Sequence, residues 1–77
     1  MRADQIPSVF GQVLREQRTA RGISQEDLAL SADVDRTFVS QMERGIRQPT
    51  ITTLMKLSTA LGVQPSTLVA RMERMLR

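Results

Sequence analysis

The stretch "VDRTFVSQMERG", residues 34–45, decides how the chain folds. With Asp35 as N-cap, a helix beginning at Arg36 turns Val39 and Met42 inward, with Val34 leading in. The same register gathers Arg36, Thr37, Ser40 and Gln41 on the opposite side, near the helix amino end, with Arg44 one turn further on. A polar face of this kind is what any amphipathic helix shows to water. It is also a set of groups that can read base edges: Arg donates twice to guanine, Gln pairs with adenine, and Thr or Ser offers a hydroxyl.

Three acids lie in or beside this stretch, an awkward feature if the ligand is an anion. Asp35 has a backbone task as the cap, and Asp33 stands where the turn before the helix needs a left-handed residue. Glu43 is expected to turn inward and pair with Arg18 of the first helix. Such a pair is costly to break once it is buried.

Upstream, "SQEDLALS" reads as a helix of two turns, with Ser24 as N-cap and Asp27 completing a capping box in place of the usual Glu or Gln. A helix this short depends on packing, through Leu28 and Ala29. Only "ADV" separates it from Asp35, the N-cap of the helix at 36. Two helices so joined are the geometric minimum of a helix-turn-helix, whose second member lies in the major groove.

Helical spacing extends along the rest of the chain, without period-two alternation, so the expected class is all-α with five helices. The first helix starts at Pro7 or Ser8, buries Phe10, Val13 and Leu14 with Ala20 behind them, and ends at Gly22. The fourth has Thr50 as N-cap and a stripe of Ile51, Leu54, Leu57 and Leu61 before Gly62. The fifth opens at Pro65 or Ser66 and carries Leu68, Val69, Met72, Met75 and Leu76. Residues 1–77 are expected to form one domain, with 1–6 the segment most prone to fray and 65–77 a terminal helix for core closure and dimerisation.

The 77 residues contain no cysteine and no histidine, which removes disulfides, thiolate metal sites and the commonest general base. No enzyme activity, metal, cofactor or small-molecule ligand is therefore expected. Of 11 cations against 8 anions, all but Lys56 are arginine, the side chain suited to phosphate and guanine. No run of 18 apolar residues or signal-peptide core is present, so a soluble, cytoplasmic, nucleoid-associated protein without membrane contact is expected.

From about residue 8 to 65 the chain resembles the Cro and phage-repressor type of helix-turn-helix, the XRE family, carried by "RGISQEDLA", "VSQMERG" and "QPTITTLMKLSTALGV". The segment 34–45 looks especially similar to the controller proteins of restriction-modification systems. The resemblance implies a lambda-repressor-like bundle with the helix-turn-helix at helices two and three. It also implies DNA base contacts from Arg36, Thr37 and Gln41 with Ser40 near them, and a phosphate contact from Gln25. Arg44, Arg47, Gln48 and Thr50 match backbone-contacting positions, and Arg18 and Glu43 match the family's internal ion pair. Two positions depart from the pattern: Asp33 stands where glycine is common, and Leu30 where a charged residue is usual. Leu30 is either a lone surface leucine or part of a contact surface. Phe38, between the core stripe and the groove-facing side, either packs inward or lies against a thymine methyl or a sugar, and mixed packing is expected.

In the fifth helix, Leu68 and Val69 are expected to close the core, whereas Met72, Met75 and Leu76 form a candidate two-fold dimer interface. The expected function is a sequence-specific, autoregulatory transcription regulator binding a palindromic operator in double-stranded DNA as a homodimer. A phage-type repressor or an antitoxin is the alternative within DNA binders. A helical protein-interaction adaptor that does not bind DNA is the alternative outside them.

Overall fold

A computed structural model describes residues 1–77. Five α-helices follow a short 3-10 turn at Ala3–Gln5: α1 (Ile6–Ala20), α2 (Gln25–Ala32), α3 (Arg36–Glu43), α4 (Ile51–Leu61) and α5 (Pro65–Leu76). There are no strands, as the spacing predicted. No helix is long and apolar enough to cross a membrane. α1 runs between α3 and α5, and α2 packs on both α3 and α4.

Local chemistry accounts for the boundaries. The Ser24 hydroxyl accepts the Asp27 N–H at 3.0 Å, and the Asp27 carboxylate accepts the Ser24 N–H at 3.2 Å, closing the capping box that starts α2. Asp33, with φ of 56°, ends α2 in the left-handed region. A side chain resists that conformation, although aspartate tolerates it better than most residues. Asp35 Oδ1 accepts the Thr37 N–H at 2.8 Å to start α3, and the Thr50 hydroxyl accepts the Thr53 N–H at 3.1 Å to start α4.

α1 begins at Ile6 rather than Pro7 or Ser8, with Pro7 in its first turn. Ahead of it, residues 2–5 close a turn of their own: the Gln5 N–H donates to the Arg2 carbonyl at 3.0 Å, and the Arg2 N–H donates to Gln5 Oε1 at 3.1 Å.

The core unites Phe10 and Leu14 of α1, Leu28, Ala29 and Ala32 of α2, Val39 and Met42 of α3, and Leu57 and Leu61 of α4. Val13 and Leu68 are also fully buried. Three expectations need correction. Ala20 is exposed, because the last turn of α1 has run past the core, whose buried α1 residues end at Leu14. Ile51 is 72% exposed, since it is the first residue of α4 and the apolar stripe meets the bundle only at Leu54. Val69 is 49% exposed, its neighbour Leu68 having taken the core position.

Gly11 controls how closely α1 and α3 approach. A methyl at this position would collide with the carbonyl oxygens of Met42 and Glu43. The two helices therefore touch backbone to backbone at the carboxyl end of α3.

Candidate nucleic-acid interface

α3 is positioned by a buried polar junction as well as by its apolar residues. The Glu43 side chain is wholly inaccessible, and Arg18, 13% exposed, reaches it from α1. Arg18 Nε donates to Glu43 Oε2 at 2.6 Å and Nη2 donates to Oε1 at 2.9 Å, the two-pronged arrangement that guanidinium and carboxylate prefer. Arg18 Nη1 also donates to the Ile23 carbonyl at 2.9 Å, tying the loop before α2 into the same junction. The predicted pairing of Arg18 with Glu43 is present.

The junction is larger than the sequence suggested. Gln25 Nε2 donates to Glu43 Oε1 at 3.1 Å, and Arg15 Nε stands 3.5 Å from the same oxygen. Arg15 lies three residues before Arg18, a spacing that puts both on one side of α1, and this was the legible sign of its involvement. Burial by itself would raise the Glu43 pKa. The hydrogen bonds from Arg18 and Gln25 and the charges of Arg18 and Arg15 outweigh it, holding the carboxyl below its ordinary value. The hydrogen bond to Glu43 raises the Arg18 pKa, against the opposing effect of burial. No buried side-chain nitrogen or oxygen is left without a partner.

This geometry revises the place of Gln25. Its amide, read as a phosphate donor, has one N–H committed to Glu43, which leaves the second N–H and the backbone N–H at the amino end of α2.

On the outer side of α3, Arg36, Thr37 and Arg44 are exposed, while Ser40 and Gln41 are half-buried along the same face. The three ion pairs of the chain involve none of Arg36, Arg44 and Arg47. The loop after α3 folds back on it: the Gln41 carbonyl accepts the Ile46 and Arg47 N–H groups at 2.9 and 3.3 Å. Gly45, with φ of 76°, lies against Ser8 of α1. Arg47 shares a concavity with Asp35, Thr37, Phe38 and Gln41, so the loop and the amino end of α3 form one surface.

Two other residues assigned to phosphate sit differently. The Thr50 hydroxyl also donates to Thr53 Oγ1 at 3.1 Å and is occupied as the cap of α4. Gln48 is exposed but stands at the lip of an apolar groove with Ile6, Phe10, Pro49, Leu54, Val69 and Met72.

That groove continues along α5. Met72 and Leu76, with Val69, Ile6 and Met1, line its far end, flanked by Glu73 and Arg77. Met75 is exposed outside this wall, so the apolar stripe of α5 runs through Val69 rather than Met75. Leu30 is 76% exposed on α2, beside Glu26 and Arg36. No group of three or more potential metal ligands occurs.

Residues 14–68 match the helix-turn-helix family model. The chain belongs to the helix-turn-helix family. This helix-turn-helix protein is 43% identical over 65 residues to Control protein C.BamHI of Bacillus amyloliquefaciens, across 83% of this chain and 80% of the relative. Its fold is similar to the restriction-modification controller protein C.AhdI from Aeromonas hydrophila, with a TM-score of 0.80 and 46% identity, covering 82% of this chain and 96% of that one. It is likewise similar to the controller protein C.Esp1396I, solved as a tetramer in complex with its natural 35 base-pair operator: TM-score 0.82, 30% identity, 90% of this chain and 91% of that one. The resemblance to controller proteins carried by residues 34–45 is thereby borne out, as is the five-helix, all-α class.

Proposed function

We propose that this helix-turn-helix protein is a transcription regulator of the controller type that binds an approximately palindromic operator in double-stranded DNA as a homodimer and regulates its own expression. The observation that carries the reading is the contrast across α3. Its inner side is locked to α1 by Gly11 and the Glu43 junction, while Arg36 and Thr37 project, unpaired, from its amino end. That is the end a helix-turn-helix presents to base edges. The operator-bound tetramer of C.Esp1396I supports the same mode of action.

Arg36, Thr37 and Gln41, with Ser40 beside them, read bases. Arg44, Arg47 and the remaining donors of Gln25 hold phosphates, with Gln48 and Thr50 in supporting positions at the loop before α4. Met72 and Leu76 belong to the subunit contact, with Met75 at its margin. A two-fold dimer places half-sites roughly 34 Å apart, one turn of the duplex. The protein acts by occupying DNA in the cytoplasm, associated with the nucleoid, and no step of this action needs a cofactor or catalysis.

Gel retardation over a salt series tests this assignment. Arg36→Ala should cost about 1–3 kcal/mol on the selected operator and relax base preference. Arg47→Ala should weaken all sequences alike and reduce the salt slope by about 1. Identical effects of the two substitutions would overturn the division into base and phosphate contacts. No retention of any sequence would favour a protein-interaction adaptor.

A further inference from the structure

Phe38 is the aromatic side chain of α3, and it is held from one side only. It is half-buried, packed against the core cluster, while its outer edge lines the shallow concavity formed with Asp35, Thr37, Gln41 and Arg47. A ring placed this way cannot swing out to make a longer contact. Nor does it lose freedom when something docks on it. It also cannot donate or accept a conventional hydrogen bond, so apolar surface is the partner that suits its exposed edge.

On the floor of a major groove, one base substituent has that character: the C5-methyl group of thymine. The neighbours of Phe38 suit the same base pair. Gln41 carries the donor and acceptor that match N6 and N7 of adenine, and Thr37 can add a methyl to the apolar wall. Arg47, at the outer rim of the concavity, supplies the cation for a phosphate of the same strand region.

Building on the operator-binding reading above, we propose that Phe38 is a specificity-determining residue that seats the C5-methyl of one thymine in each half-site, selecting a thymine by apolar contact where Gln41 and Thr37 border the ring. A contact of Phe38 with deoxyribose would give no such selection, because every nucleotide presents the same sugar.

The test uses the full chain and an operator selected from a random pool. Each thymine of the half-site is replaced in turn by deoxyuridine, which deletes the methyl and leaves every hydrogen-bonding group in place. At one thymine per half-site the replacement should weaken binding about fourfold, the value of burying one methyl, and the loss should disappear in Phe38→Ala. Should Phe38→Ala fail to fold, the wild-type protein still answers: an operator carrying 5-iodouracil at that thymine should photocrosslink to Phe38. A selected operator in which every thymine methyl is dispensable, a methyl effect undiminished in Phe38→Ala, or a crosslink to another residue overturns the proposal. Failure to select any operator would instead overturn the operator-binding reading on which it rests.

Discussion

The two flanks of α1 are finished in opposite ways. Toward α3 the contact is closed: Gly11 brings backbone against backbone, and Arg18, Arg15 and Gln25 surround the one buried carboxylate. Toward α5 it is open, because Ile6 and Val69 leave an apolar groove extending to Leu76. The first contact is satisfied within one chain. The second buries its apolar surface fully only when another surface covers it. The fold thus separates the flank of α1 that fixes α3 from the flank that leaves apolar surface uncovered.

The largest expected effect on that comparison comes from the closed side. Glu43→Ala leaves two arginines and an amide facing a cavity and should destabilise the protein by about 3–5 kcal/mol, measured by urea unfolding. The pH dependence has a definite sign. Because the folded-state pKa of Glu43 lies below its ordinary value of 4.5, the junction contributes fully above that value and is lost as pH falls through the lowered one. Between those two pH values the wild type should lose more stability than Glu43→Ala does. Equal acid limbs would show that the carboxylate is not held ionised by its partners.

Gly11→Ala should cost less, about 1–3 kcal/mol, as α1 and α3 are forced apart. Alanine favours the helix itself by about 1 kcal/mol over glycine, so a stabilised variant would mean that the close approach carries little weight. The smallest effect on folding is expected at the open side. Val69→Lys should change stability by no more than about 0.5 kcal/mol, yet shift the chain toward monomer in sedimentation equilibrium. A variant that stays dimeric would place the subunit contact elsewhere, and one that unfolds would show the groove to be core.

Legibility in the sequence followed the same divide. Caps and turns were readable because each rests on a local rule: Ser24 with Asp27, Asp35, Thr50, and the left-handed Asp33 all occupy their expected places. The pairing of Arg18 with Glu43 was also readable, although 25 residues separate them, because the family resemblance carries it and an inward-turned carboxylate needs a cation. Periodicity alone misjudged Ala20, Ile51 and Val69. It reports which face a residue lies on but not whether the neighbouring helix extends that far. Gly11 and Gln25 were harder, since a close approach and a second hydrogen bond to Glu43 depend on where α1, α2 and α3 meet. Another contact of that kind is the Arg21 guanidinium, which donates to the Leu61 carbonyl and so covers the end of α4.

The carbonyl contact at Gly11 has a mechanical consequence. With no side chain at position 11 to cushion α1 against the Met42 and Glu43 carbonyls, and with Arg18 gripping Glu43 beside them, α3 is coupled to α1 and a tilt of one carries the other along. For a protein that binds an operator as proposed above, fit to a mismatched site would then come from the nucleic acid bending or from the two protomers shifting relative to each other, which would make DNA stiffness between half-sites part of what it discriminates.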